Sequence, residues 1–200
     1  MTADTPYAPV WRVGPASSDV VIDVLTDAFQ DDPFTRWVFP EPSGRIGLQA
    51  GFYRALLGHP GAEAHLFGDA AAIWLDLGSG ERLHGEPGPA DVEDPGLARL
   101  NAVGEALARR HPVDAPHLYL AAMGVAAARQ GGGLGAALLR HRLDQADRDG
   151  VGAYLEAGSP RSRAFYLRHG FADLGEPVRL RGAPPLYPMW RPAAPSVHNR

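Results

Sequence analysis

The segment Arg129-Gln130-Gly131-Gly132-Gly133-Leu134-Gly135-Ala136 places four glycines within five consecutive positions, 131–135. An apolar run, 117–125, precedes it, and a stretch with Ala136, Leu139, Leu143 and Ala146 at helical spacing follows, closed by Gly150. This pattern commits the chain to a strand, a tight backbone-rich loop and a helix. Several loop N–H groups then turn toward one point, joined by the free first-turn N–H groups and positive dipole end of the helix. A diphosphate suits such a loop. The competing reading is a flexible connector without a ligand, although three successive glycines carry an entropy cost that a mere connector avoids.

Composition narrows the chemistry available beside that loop. The 200 residues include no cysteine, which removes disulfide scaffolds, thiolate metal sites and cysteine nucleophiles. All 19 basic residues are arginine, so Schiff-base lysines, Walker-type phosphate lysines and lysine bases are absent as well. A net charge of −4 offers no global attraction for nucleic acid or anionic lipid. No apolar stretch approaches the roughly 20 residues of a membrane span, and residues 1–9 lack a signal-peptide pattern. The expectation is a soluble cytoplasmic protein, monomeric or homodimeric. With 24 glycines and 19 prolines among 45% hydrophobic residues, a loop-rich folded globule fits better than disorder. No repeat or linker divides the chain, so a single domain over 1–192 and a disordered tail over 193–200 are expected.

The remaining elements alternate between helix and strand. Ser18 caps a helix carrying Val21, Val24, Leu25, Ala28 and Phe29, stopped at Asp31-Asp32-Pro33. A helix over about 43–58 sets Ile46, Ala50, Tyr53 and Leu57 on one face. Runs at 64–67 and 71–77, joined by Gly68-Asp69, read as a β-hairpin. A Gly/Pro/acid-rich loop over 78–94 leads to Asp94-Pro95, which opens a helix to about residue 110. A strand over 151–157 follows the post-loop helix, and Ser159-Pro160 opens a short helix ending at Gly170. Closing strands are expected at 171–174 and 186–190. His111, His117, His141 and His169 read as surface or helix-end residues, and no His pair has metal-ligand spacing, so no metal is expected.

Two ligand classes compete for the loop. Read as Gly131-x-Gly133-x-x-Ala136, it matches the dinucleotide fingerprint, with Glu156 about 20–25 residues further on. Only 44 residues follow Glu156, too few for the rest of a doubly wound sheet. The connection over 125–131 is also longer than the usual tight turn. Read as Gln130-x-x-Gly133-x-Gly135, the loop resembles the coenzyme A signature of the GNAT acetyltransferase superfamily. Leu118-Tyr-Leu-Ala-Ala-Met-Gly-Val125 is similar to that family's preceding strand, and Phe165-Tyr-Leu-Arg-His-Gly-Phe171 to its closing motif. Within the superfamily the chain resembles the puromycin N-acetyltransferase group. That likeness rests on Ala28-Phe29-x-Asp31-x-Pro33, Ala70-Ala-Ala-Ile-Trp74 and Tyr154-Leu-Glu-Ala-Gly-Ser-Pro-Arg161. Order and spacing stay family-like over about 10–192.

The resemblance implies a mixed α/β domain: a mostly antiparallel sheet with splayed middle strands, flanked by helices. It implies acetyl-CoA as co-substrate, the pantetheine arm on Met123, Gly124 and Val125, and the diphosphate on Gln130, Gly131, Gly132, Gly133, Leu134, Gly135 and Ala136. Two departures bear on affinity: Gly132 stands where relatives often carry Arg or Lys, and Ser162 where they often carry Asn. Arg129 is a candidate for the missing charge. The motif match makes Tyr166 the candidate general acid for the departing thiolate, against the plainer reading of a Tyr packed in its helix. Glu156, at a strand end, is a candidate base for the acceptor ammonium or a solvated strand-end acid. Phe34, Trp37, Phe52, Tyr53 and Trp74 are candidate acceptor-pocket residues, with core packing as the alternative. Asp31 and Asp32 are candidates for attracting a cationic amine, or for simply stopping the helix.

The expected reaction is direct acetyl transfer in a ternary complex to a primary amine of a small molecule, an antibiotic or other natural product included. Acetylation of a protein or peptide amine is the first alternative. A non-catalytic acyl-CoA or dinucleotide-binding module is the second.

Overall fold

Three helices begin where a side-chain oxygen precedes a proline, and the reason is visible in the computed structural model, which describes residues 9–81, 83 and 94–194. Asp32 accepts the Thr35 N–H at 2.9 Å and opens α2 (Pro33–Val38). Asp94 accepts from Gly96 and Leu97 at 2.7 and 3.0 Å and opens α4 (Pro95–Ala108). Ser159 and Ser162 exchange a capping box at the start of α6 (Pro160–Leu167). Each cap satisfies first-turn donors while proline pre-sets φ for the first turn. The remaining helices are α1 (Ser18–Phe29), α3 (Pro42–Leu57) and α5 (Leu134–Asp149).

The strands are β1 (Trp11–Val13), β2 (Ala62–Phe67), β3 (Ala70–Leu77), β4 (His117–Val125), β5 (Gly152–Ala157), β6 (Ala172–Asp173) and β7 (Tyr187–Arg191). They form one sheet in the order β1-β2-β3-β4-β5-β7-β6, antiparallel at every junction except parallel β4–β5. Period-two alternation divides the core between the two faces. Trp74, Leu118, Leu120, Ala153 and Leu155 face α5, where Leu138, Leu139, Leu143 and Ala146 meet them. Ile73, Leu75, Tyr119 and Tyr154 face the other way, onto Val21, Ile22 and Leu25 of α1 and Tyr53 and Leu56 of α3. A third cluster joins α2 to α4 through Val38, Phe39, Val103 and Leu107. Arg191 grips Asp147 through two 2.7 Å bonds, tying β7 to the end of α5 and holding the Asp147 carboxyl below its usual range.

Several expectations need correction. β1 and α2 lie outside the expected elements: three residues carry no readable period, and Asp32-Pro33, beyond which α1 does not run, also opens α2 in the same cap-proline form as Asp94-Pro95. The buried face of α3 is Arg45, Gln49, Tyr53 and Leu56, while Ile46 is 54% exposed. The helix is turned because Arg45 donates to the Phe39 and Pro40 carbonyls at 2.7 and 2.9 Å, just beyond α2. His111 and His117 are buried, not at the surface, with their Nε2 atoms 3.0 Å apart. Residues 195–200 of the expected tail and 84–93 of the expected loop lie outside the described residues. Ala194, inside the expected tail, donates its N–H to Asp147 at 2.8 Å.

Gly124 marks the closest approach of α1 to the sheet. A Cβ there would stand 2.6 Å from the Ala28 Cβ and 3.1 Å from Phe29 Cε2. Gly124→Ala must therefore push α1 outward, an overpacking cost of about 1–3 kcal/mol. Thermal denaturation should show a melting temperature roughly 2–12 °C lower; an unshifted melt would mean that α1 is not seated on Gly124.

Candidate active site

The site opens where the sheet comes apart. β4 and β5 pair only from His117 to Tyr119 against Gly152 to Tyr154, after which the two strands part. β3 keeps its pairing to β4 as far as Val125, and β7 keeps its pairing to β5 as far as Ala157. Between Ile73 and Trp74 the β3–β4 register shifts, leaving Ala121 without a counterpart. Such a bulge bends its strand, here at the point of divergence. These are the splayed middle strands expected above. Two cavities meet there, and Phe29, Asp32, Met123, Ser159, Ser162 and Tyr166 line both.

The first is a groove of 790 Å³ between the glycine loop and α6. Its sequence logic is local. Gly131 and Gly133 hold φ values of +83° and +82°, a region that side chains rarely adopt, and Gly133 is the N-cap of α5 with no side-chain cap of its own. Leu134, Gly135 and Ala136 therefore begin α5 with amides that have no intrahelical acceptor. Polar side chains are spent fixing the loop. Arg129 donates to Asp69 at 2.9 Å, Gln130 to the Val125 carbonyl at 3.3 Å, and Asp27 accepts the Ala127 N–H at 3.0 Å. Arg129 thus pairs with the β2–β3 turn while its side chain, 67% exposed, still lines the groove. Met123, Gly124, Val125, Gln130, Gly131, Gly133, Leu134, Gly135 and Ala136 all line the groove; the exposed Gly132 does not. A cradle of glycine backbone at a helix start fits the diphosphate of coenzyme A. Across the groove stand Ser162, whose hydroxyl serves the α6 cap, and the arginines Arg161 and Arg168.

The second cavity encloses 270 Å³ and is walled by three helices. Phe34, Thr35 and Val38 come from α2, Gln49, Phe52 and Tyr53 from α3, and Leu100, Val103 and Leu107 from α4. Of the expected pocket residues, Phe34, Phe52 and Tyr53 line it, and Asp32 lies where it joins the groove. Asp31 lines only the groove, 89% exposed and 3.7 Å from Arg36. Trp37 and Trp74 are outside the cavity and need correction. Strand parity turns Trp74 to the α5 face, where it is fully buried. Trp37 packs on Phe34 at 5.9 Å, with the Arg99 guanidinium 5.5 Å over its ring.

Glu156 lies on the wall of this second cavity at the end of β5. Period two puts it on the same face as Tyr154 and brings it to Tyr119, one strand over, whose hydroxyl donates to Oε2 at 2.8 Å. The other oxygen, Oε1, has no hydrogen-bond partner among the described residues. Burial raises the carboxyl pKa to about 7, while Tyr119 and Tyr154 pull it back. Burial and the nearby carboxylate in turn hold the Tyr119 phenol well above its usual value, so it stays a donor. Tyr166 is 8% exposed and packs edge-on to Phe165 and Phe171; burial raises its pKa, keeping the phenol protonated. A carboxyl group that titrates near neutrality in the second cavity and a neutral phenol where the two cavities meet are thus two titratable groups set apart by environment. Tyr119 and Gln49 were not picked out from sequence. Strand alternation from Glu156 would have found the first, whereas nothing in local spacing marks the second.

Residues 83–171 match the model of the acetyltransferase (GNAT) family. A solved Corynebacterium glutamicum structure, described as a histone acetyltransferase HPA2 and related acetyltransferase, is 29% identical; the match covers 96% of this chain and 99% of that one, with a TM-score of 0.67. Arylalkylamine N-acetyltransferase 2 of Aedes aegypti superposes with a TM-score of 0.68 at 13% identity, over 93% of this chain and 99% of its own. The ribosomal-protein-S18-alanine N-acetyltransferase of Escherichia coli does so with 0.57 at 16%, over 96% and 97%. At such identities these last two show the shared fold. Family match and architecture agree: residues 83–171 match the acetyltransferase (GNAT) family, and the fold is the one these acetyltransferases share, which supports an acetyltransferase of the GNAT superfamily.

Proposed function

We propose that this enzyme transfers acetyl from acetyl-CoA to the primary amine of a small molecule carrying an apolar body, with natural-product amines, antibiotics included, as the acceptor class. The observation that carries this reading is the 270 Å³ cavity, walled by α2, α3 and α4 and meeting the groove at Tyr166. A pocket of this kind suits a compact guest better than an extended peptide. The solved relatives leave the choice open, since one is named for an arylalkylamine and another for a ribosomal protein.

Acetyl-CoA supplies an activated acetyl thioester, with its diphosphate on the amides from Gly131 to Ala136 and its arm along Met123, Gly124 and Val125. Glu156, once ionised, takes a proton from the acceptor ammonium, freeing the lone pair that forms the new C–N bond. Tyr166 gives a hydrogen bond or proton to the sulfur as the C–S bond breaks. The second proton that the nitrogen sheds as the amide forms restores the phenol, leaving free CoA thiol and a proton on Glu156 that passes to solvent. Without cysteine or lysine the chain lacks the usual carriers of a covalent acyl intermediate, so direct attack is the route.

Three measurements test this. Thiol release from acetyl-CoA across a panel of amines, puromycin among them, should show turnover, and Tyr166→Phe should lower kcat by roughly 10–10⁴-fold with little change in coenzyme affinity. Unaltered turnover under chemistry-limited conditions removes Tyr166 from the reaction. The kcat/KM profile should rise with pH through about 7, because only ionised Glu156 accepts a proton. Glu156→Gln should lower activity about 10²–10⁴-fold and flatten that limb; a surviving limb assigns it to another group. Because its folded pKa lies above the ordinary glutamate value of 4.5, Glu156 also favours folding at low pH, and that contribution is lost as pH rises through about 7. Finally, Gly133→Val forces a branched residue onto φ +82° in the cradle, so acetyl-CoA binding by calorimetry should fall at least about tenfold. Normal binding would refute the assignment of the loop.

A further inference from the structure

Gln49 is 1% exposed, yet neither Nε2 nor Oε1 of its carboxamide has a hydrogen-bond partner among the described residues. It lies on the buried face of α3 and on the wall of the acceptor cavity, beside Tyr53. One turn earlier on that face, Arg45 is also buried, but its guanidinium meets the Phe39 and Pro40 carbonyls. Thr26, His65, Trp74 and Tyr154 also hold buried polar atoms without a partner among the described residues, but none of them lines this cavity, whereas Gln49 and Glu156 do. At Gln49 an apolar side chain of equal length would avoid the penalty of an unpaired buried amide. The walls around it are largely apolar, with Phe52, Leu100, Val103 and Leu107 among them.

We infer that Gln49 is the specificity-determining residue of the acceptor site, selecting amines whose apolar body carries a group that both donates and accepts a hydrogen bond, a hydroxyl or an amide. A carboxamide with one free donor side and one free acceptor is matched only by such a group. With the amine nitrogen at Glu156 and this second group at Gln49, the acceptor is gripped at two points and its reactive end is fixed. The inference rests on the amine-acetylation reading above, and it names the substrate class more closely.

Matched amines test it: 2-phenylethylamine, tyramine with a hydroxyl, and phenylalaninamide with an amide. The wild-type enzyme should favour at least one of the two polar amines over 2-phenylethylamine by about 10²-fold or more in kcat/KM. Whichever is favoured identifies the hydroxyl or the amide as the recognised group. Gln49→Met keeps length without hydrogen bonding. It should erase that preference, retain turnover of 2-phenylethylamine, leave the KM for acetyl-CoA unchanged and melt no lower than wild type. A wild-type enzyme with no preference overturns the inference. So does a preference that survives in Gln49→Met, or a lower melting temperature with discrimination intact, which would assign Gln49 to the fold. Calorimetric binding of the same amines separates this from the parent reading. Binding that depends on Gln49 without thiol release sinks acetylation and keeps the subsite. Turnover indifferent to Gln49 keeps acetylation and sinks the subsite, and neither binding nor turnover sinks both.

Discussion

Everything in the site follows from a pairing that stops early. β4 and β5 hold together for three residue pairs, and each then continues with its outer neighbour alone. A sheet that parts in its middle exposes backbone donors and acceptors that ordinary pairing would consume, and unpaired buried backbone groups are costly. The divergence is tolerated because elements converge on it from both sides. α1 packs on β4 at Gly124, α5 starts from the glycine loop, and α6 follows directly from β5 through its Ser159–Ser162 cap. The cleft is thus bounded by helix starts, which present amides toward it, and by strand ends, which present alternate side chains. The groove and the cavity proposed to take the thioester and the amine become neighbours through one local failure of pairing.

Glu156 shows how that geometry becomes chemistry. Past the split it keeps one partner, Tyr119, and has an oxygen unclaimed among the described residues. Burial does most of the tuning, since both tyrosines act against it. The same seclusion holds Tyr166 in its neutral form. One environmental cause thus pushes an acid group toward basic behaviour and a phenol toward staying a donor. A mechanism without an enzyme nucleophile needs both.

What the sequence reveals about this protein divides along a physical line. Elements set by local chemistry were readable: the His117–Val125 strand to the residue, the Asp94 and Ser159 helix starts, the hairpin at Gly68-Asp69 and the positive-φ glycines of the loop. Features decided between elements were not. Ile46 looked buried because the apolar count along α3 favoured it, but Arg45 turned the helix by seeking carbonyls beyond α2. Trp74 looked like a pocket residue by type, and only its register against Leu120 assigns it to the α5 face. His117 looked superficial at a strand start, yet an imidazole paired to His111 and to the Ala115 carbonyl can be fully buried. In the candidate site the glycine loop, Glu156 and Tyr166 carry motifs, whereas Gln49 and Tyr119 matter only through what folds over them.

Among the described residues, Glu156 Oε1 and the Gln49 carboxamide are unmet polar groups that line one cavity; Thr26, His65, Trp74 and Tyr154 carry others away from it, while the buried arginines are paired. Arg142 is held by Glu63 at 3.0 Å, Arg191 by Asp147, and Arg45 by two carbonyls. Stability alone would favour apolar replacements at Glu156 and Gln49, because an unsatisfied buried group weakens the fold that contains it. Strain of this kind, kept at two points that line one cavity, is what a site shows when its full complement of hydrogen bonds includes a guest. The apolar walls supply affinity without direction, and the two polar points supply direction at the expense of fold stability. On the proposed reading the split sheet and the glycine cradle serve the coenzyme, while the acceptor is read by a few side chains on helices that lie over the split.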